Sequence, residues 1–250
     1  MKTETLYGIH PVLEALKAAR RNFYEVYTTK PEPSKRLAEV LALAESLKIP
    51  VKKVKHSQFQ SMIGTDMHQG IGAIVSPYPL VELSDMLQQG NLSHDDRYFL
   101  LLDNVLDPHN LGALSRTALC VGINGMIIPK DRSARPTPAV SKASAGALEH
   151  VHLAQVNNMA TTIKTLKKNG LWIAGLDKRA DISIFNSDLA GPLAFVIGGE
   201  EKGIRPLVKK QCDLLISIPQ KGSLGTLNAS VAGAVSMYEA FRQRNLNMSP

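Results

Sequence analysis

Three segments in the later part of the chain gather residue types that small-ligand chemistry requires. NLGALSR at 110–116 holds two polar side chains, Asn110 and Arg116, at the turn from an expected strand into a helix. FVIGGEEKG at 195–203 runs from apolar residues into Gly198 and Gly199, then Glu200 and Glu201. Glycine has no Cβ, so a ligand can approach that backbone closely. ISIPQKGSLGTLNAS at 216–230 passes Gly222 and Gly225 and reaches Thr226, Asn228 and Ser230, where backbone amides and polar side chains meet. Each segment also has an ordinary structural reading. Asn110 lies where a helix should begin and can cap it. Arg116 is roughly 120° further around that helix, so the two share a cleft only if Asn110 projects from the preceding loop; taken alone, Arg116 reads as a surface charge. Glu200 and Glu201 suit the first turn of a helix, and one of Thr226, Asn228 and Ser230 reads as an N-cap.

Other chemistries lack their signatures. There is no GxGxxG, no GxxxxGK[ST] and no GxSxG. His150 and His152 stand two apart on an expected strand, but no third ligand lies near them in sequence, so no metal is expected. Cys120 and Cys212 are the only cysteines, which disfavours a disulfide framework and suggests a reducing cytoplasm. No apolar run approaches the ~20 residues of a spanning helix, and MKTETLYGIH lacks the apolar core of a signal peptide.

The elements that must position these segments read as α/β. Residues 1–76 hold helical runs from Pro11 to Ala19 and Lys35 to Leu47, with strands YEVYTT, VKKV and IGAIV. Residues 77–97, rich in proline and polar residues, read as a linker with a short helix from Val81 to Gln89. From Tyr98 to the end, residues 98–250, strands alternate with helices: YFLLL, a helix at 111–121, GMII, a helix at 139–148, VHLA, a helix at 159–168, LWIAGL, LAFVIG, a short helix at 204–209, LLISI and a final helix at 228–244. Short continuous apolar strands between helices argue for a parallel sheet covered on both faces, and open sheets of this kind bind ligands at the C-terminal ends of their strands. In the final helix Val231, Val235, Tyr238 and Phe241 recur at helical spacing, which predicts a buried stripe.

The 250 residues carry 29 Lys and Arg against 22 Asp and Glu, a net charge of +7. Residues 1–76 hold net +4 and residues 77–250 net +3, so the smaller part is the more basic per residue. That suits a module meeting a phosphate backbone, with Lys52, Lys53 and Lys55 as the candidate patch, and equally a solvated lysine face.

Together, and in this order, the three segments resemble the three motifs of the SpoU (TrmH) branch of the SPOUT RNA methyltransferases. YGIHPVLEAL near the start, HQGIGAIV at 68–75, LDPHNLG at 106–112 and PKDRSA at 129–134 extend the resemblance over essentially the whole chain. The set is most similar to members that methylate a guanosine 2′-hydroxyl of bacterial 23S rRNA in the peptidyl-transferase region, a step of ribosome maturation. The resemblance implies a small N-terminal α/β substrate-binding domain similar to ribosomal protein L30e, a C-terminal SPOUT-type parallel sheet with a trefoil knot, S-adenosylmethionine as methyl donor without a metal, and a homodimer acting on 23S rRNA or an assembling large subunit, with no membrane. It places the catalytic residues at Asn110, Arg116, Glu200 and Asn228, and the cofactor contacts at Gly198, Ile218 and Leu227, with Pro219 adjacent. The third motif departs from the usual SLNVS, reading TLNAS at 226–230. On this reading Arg116 contacts the target phosphate and hydroxyl while Asn110, Glu200 and Asn228 fix geometry; a guanidinium, with a pKa above ~12, is a poor base. A tRNA 2′-O-methyltransferase of the same family and a non-catalytic RNA-binding assembly protein are the competing readings.

Overall fold

The computed structural model describes residues 2–29, 34–88, 96–222 and 225–245. The chain divides into two compact units, Met1–Pro79 with Arg135–His150, and Leu80–Ala134 with Val151–Pro250.

In the first unit, β1 (Glu4–Tyr7), β2 (Phe23–Thr28), β3 (Val51–Lys53) and β4 (Ile71–Val75) form a sheet in the order β1-β4-β2-β3. β4 runs antiparallel to β1 and β2, and β3 is parallel to β2. α1 (Ile9–Ala18) and α2 (Lys35–Ser46) close the core, in which Leu6, Val12, Leu16, Val26, Leu37, Val40, Ile71 and Val75 are buried. In α2 the buried residues Leu37, Val40 and Ala44 follow the helical period, and Ser34 Oγ caps the start by accepting from the Leu37 amide. Two elements escaped the sequence pattern: β1 is only four residues long, and α3 (His56–Ile63) buries only Phe59. The lysine patch is partly neutralised, because Lys52 is ion-paired with Glu25, while Lys53 and Lys55 are exposed.

The second unit begins within the expected linker. Val81 pairs with Ala154, and α4 (Leu83–Leu87) buries Met86 and Leu87, so 81–87 is part of a packed core rather than a tether. Gln89 and His94 lie outside the described residues. β5 (Tyr98–Asp103), α5 (Pro108–Cys120) and β6 (Gly125–Pro129) follow. The chain then contributes α6 (Pro138–Ala143) and a 3₁₀ turn (Ala147–His150) to the first unit. This corrects two expectations: the helix expected over 139–148 stops at Ala143, and His150 stands in a 3₁₀ turn rather than a strand. It also takes 135–150 out of the second unit. The physical reason is a buried cation. The Arg21 side chain is fully buried, and its guanidinium donates to both Glu149 carboxylate oxygens (2.7 and 3.1 Å), to Glu4 (2.6 Å) and to the Ser76 carbonyl (3.1 Å). It also lies over the Tyr78 ring.

Back in the second unit, β7 (Leu153–Val156), α7 (Met159–Lys168), β8 (Trp172–Leu176), β9 (Ile182–Ser183), β10 (Leu193–Gly198), α8 (Pro206–Lys209), β11 (Leu214–Ser217) and α9 (Ala229–Asn245) complete the chain. All seven strands are parallel, in the order β7-β6-β5-β10-β8-β11-β9. β5 and β10 lie side by side in the middle of the sheet and are almost wholly buried, as their continuous apolar sequences predict. α9 reverses the expected stripe. Val231, Tyr238 and Phe241 are exposed (48%, 52% and 38%), and Val235 is half-buried. The buried side is instead Ala229, Gly233, Ser236, Met237, Glu239 and Ala240, mostly small residues that let the helix lie close against α5 and β10.

Candidate active site

The site forms where β5, β8, β10 and β11 end. Asp103, the last residue of β5, has a fully buried side chain. One carboxylate oxygen accepts from the Arg205 amide (2.8 Å) and the other from Arg205 Nε (2.8 Å) and a terminal guanidinium nitrogen (2.6 Å). Its backbone carbonyl accepts from the Gly199 amide at 3.0 Å. The Gly203 amide closes the turn onto the Gly199 carbonyl (2.8 Å), so the segment carrying Glu200 is tied at both ends to the end of β5.

Glu200 joins two of the expected residues. Its Oε1 accepts from Asn110 Nδ2 at 3.0 Å and from Asn228 Nδ2. Oε2 holds no hydrogen bond among the described residues. Asn110 is not the helix cap. Asp107 caps α5 through the His109 amide (2.9 Å) and Pro108 opens the helix, which places Asn110 within the first turn, buried and facing Glu200. Asn228 does two things at once: Nδ2 reaches Glu200 while Oδ1 caps α9 by accepting from the Ser230 amide (2.8 Å), Ser230 Oγ (2.6 Å) and the Val231 amide (3.4 Å). Arg116 is not brought to this cluster. It is exposed on α5 and makes no ion pair among the described residues.

A cavity of about 510 Å³ opens beside the cluster. Its apolar wall comes from Ile197, Ile216, Ile218 and Leu227, and Gly198, Glu200, Thr226 and Ala229 also line it. A smaller pocket of about 170 Å³ is lined by Asn110, Leu106 and Asn104 and shares Gly199, Glu200, Glu201 and Ala229 with the first. Pro219 is exposed and is absent from both walls. Gly198 is glycine for a different reason than ligand approach: a Cβ there would stand 2.1 Å from the Gly203 carbonyl carbon and 2.2 Å from the Ile204 nitrogen, so the backbone folding back after Glu200 leaves no room.

Sequence reasoning passed over the charged rim, Asp177, Lys178, Arg179 and Lys209, and the Asp103 to Arg205 tie. The available signal was position, since DKR at 177–179 directly follows a parallel strand. Burial works to raise the Asp177 carboxyl, but hydrogen bonds from Lys209 and from the Arg179 amide (2.9 Å) outweigh it and hold the pKa below the usual aspartate value. His150 Nε2 is hydrogen-bonded with Glu14 Oε2 (2.8 Å), and among the described residues no group of three or more His, Cys, Asp or Glu is placed to hold a metal.

Residues 97–238 match the model of the SpoU rRNA Methylase family, and residues 5–81 match that of RNA 2′-O ribose methyltransferase substrate binding. The chain is 39% identical over 246 residues to the 23S rRNA (guanosine-2′-O-)-methyltransferase RlmB of Escherichia coli, covering 97% of this chain and 100% of that protein. It is 40% identical over 238 residues to a Bacillus subtilis protein, YacO, named for the TrmH family of tRNA/rRNA methyltransferases, covering 95% of each. Among solved structures, the SpoU methyltransferase AviRb of Streptomyces viridochromogenes, in complex with AdoMet, superposes with a TM-score of 0.82 over 97% of this chain and 90% of its own, at 23% identity, a likeness of fold. The TrmH/SpoU tRNA modifying enzyme of A. aeolicus superposes with a TM-score of 0.56 at 25% identity, over 66% of this chain and 81% of its own.

Proposed function

The chain belongs to the SpoU rRNA methylase family, and from that premise we propose that it transfers the methyl group of S-adenosylmethionine to a guanosine 2′-hydroxyl in the peptidyl-transferase region of 23S rRNA. The observation that carries this reading is the Glu200 carboxylate holding Asn110 and Asn228 together at the edge of the large cavity.

The cavity fits the cofactor. Its volume lies within the usual range for small-ligand sites, about 300–1,000 Å³. The wall of Ile197, Ile216, Ile218 and Leu227 suits the adenine ring, and the carboxylates of Glu200 and Glu201 offset a ligand bearing sulfonium and ammonium charges. When bound, the sulfonium supplies an already electrophilic methyl group. The chain's own task is to orient the ribose hydroxyl and receive its proton. The smaller pocket, with Asn110 on its wall, is the entry for the target nucleotide, and Glu200 Oε2 is the open acceptor to which a hydroxyl can donate. Arg116 contributes its charge to the target phosphate. Arg116→Lys keeps that charge but loses the planar fork, so turnover should fall at least tenfold; near-normal turnover would refute the role.

The second copy that the family implies would cover the apolar face of α9, where Val231, Tyr238 and Phe241 stand exposed. The trefoil knot and the L30e-like character of the first unit belong to the same proposal, as does action in the cytoplasm, where the free thiols Cys120 and Cys212 stay reduced. Among the described residues no helix is long and apolar enough to cross a membrane.

Similarity to the rRNA enzyme runs through the substrate-binding region, whereas the tRNA enzyme superposes on only 66% of the chain, which favours rRNA. The test is a map of 2′-O-methylation in cells with and without the gene. Loss at a guanosine of the peptidyl-transferase region is expected; an unchanged rRNA map with a lost tRNA mark would move the assignment to tRNA. A chain with no saturable S-adenosylmethionine binding would be an RNA-binding assembly protein instead.

A further inference from the structure

Several cations of the described residues are neutralised by carboxylates: Lys17 by Glu39, Arg21 by Glu149, Lys52 by Glu25 and Lys209 by Asp177. Two cations at the start of α1, in the first unit, are held differently. Lys142 Nζ, from α6, donates to Gln69 Oε1 at 2.8 Å, and an Arg36 guanidinium nitrogen lies 3.2 Å from His10 Nε2. Neither has a carboxylate at ion-pair distance among the described residues, so neither charge is offset by an anion there. The arrangement is built. Gln69 has a left-handed backbone (φ 56°), and its Oε1 also accepts from the Ile9 amide at 3.2 Å, tying the HQG loop to the first turn of α1. Gly8, at φ 95°, adopts a backbone that suits glycine, and the Lys142 ammonium lies beside it. Burial holds the Lys142 pKa below the ordinary lysine value, the signature of an ammonium partly stripped of water with no counter-charge. The partial positive charge of the α1 N-terminus adds to the field of the two cations and favours an anion beside them.

We propose that Lys142 and Arg36 form an anchor for the phosphodiester backbone of the RNA substrate, with Gln69 and His10 orienting the two cations. The inference rests on the RNA-methylating function proposed above and extends it. Lys142 lies outside the substrate-binding match at residues 5–81, so the RNA-contacting surface includes a residue that the chain supplies from the middle of the methylase region, 97–238.

The test uses the full-length protein and a transcript of the peptidyl-transferase region of 23S rRNA, with Kd measured across a salt titration. Lys142→Gln and Arg36→Gln should each weaken binding about threefold to tenfold and lower the slope of log Kd against log[salt] by about 0.7–0.9, the loss of one phosphate contact. Lys142→Arg should keep the wild-type slope. S-adenosylmethionine binding by the variants should stay at the wild-type level, because the cavity is in the second unit. Arg36 is exposed, so its substitution carries the test even if the Lys142 variant fails to fold. Wild-type slopes in both glutamine variants, with wild-type methylation of the transcript, would overturn the anchor and leave the function standing. Failure of the unaltered protein to bind or methylate the transcript would overturn both.

Discussion

Asp103→Asn is the substitution that most directly probes how the site is held. The aspartate is fully buried and accepts three hydrogen bonds from one residue, through Arg205 N (2.8 Å), Nε (2.8 Å) and a terminal nitrogen (2.6 Å). An asparagine offers one carbonyl oxygen and one amide, so whichever way it turns, its amide faces a donor. If the oxygen stays on the guanidinium, the Arg205 backbone N–H loses its acceptor; if it stays on that N–H, both guanidinium bonds go. A hydrogen bond to a charged group is worth about 1.5–3 kcal/mol, and an unmet buried donor costs about 1–3 kcal/mol. The Arg205 side chain is 38% exposed and can recover part of its hydration, so we expect about 2–4 kcal/mol lost from the turn at 199–205. That amounts to roughly thirtyfold to a thousandfold in local opening. Amide exchange at Gly203, whose N–H closes the turn onto Gly199, reads it directly, and S-adenosylmethionine affinity should weaken at least tenfold as Glu200 loses its fixed place. Wild-type exchange at Gly203 together with wild-type cofactor affinity would show that this tie does not position Glu200.

Three further predictions concern the scaffold. Glu149→Ala removes the two-oxygen partner of the fully buried Arg21 side chain, leaving Glu4 as its only carboxylate among the described residues, and should cost about 1.5–3 kcal/mol in urea unfolding, whereas the double change Arg21→Met with Glu149→Leu should recover much of that loss. The Arg242 guanidinium beside Glu239 holds that carboxyl below the ordinary glutamate value of 4.5, so the stabilisation it gives is complete above that pH and is lost as pH falls through the lower folded-state value; the urea midpoints of wild type and Glu239→Gln should converge as pH falls below 4.5. Tyr238→Glu places a charge on the exposed apolar face of α9 and should shift the sedimentation coefficient to that of a monomer; an unchanged oligomer would locate the interface elsewhere.

The sequence by itself determined the elements whose period is strong. β5 and β10 were legible because strands buried on both faces are continuously apolar, and α2 because Leu37, Val40 and Ala44 keep one face. The family resemblance carried by the three segments also pointed to Asn110, Glu200 and Asn228, whose side chains meet in the structure. What those residues do locally was less legible: Asn110 looked like a cap because the Asp107 and Pro108 pair that starts the helix lies only a few residues earlier. α9 misled because its apolar stripe is the exposed one; small residues on the opposite face bring backbones together and contribute little to a hydrophobicity pattern. Only the tertiary structure decided that 135–150 belongs with the first unit, that Arg116 stands apart from the Glu200 cluster, and that Lys142 meets Gln69. Periodicity reports which face of an element is apolar, but a hydrogen bond between residues 73 or 90 positions apart leaves no periodic trace, because its partners are chosen by how the chain returns upon itself.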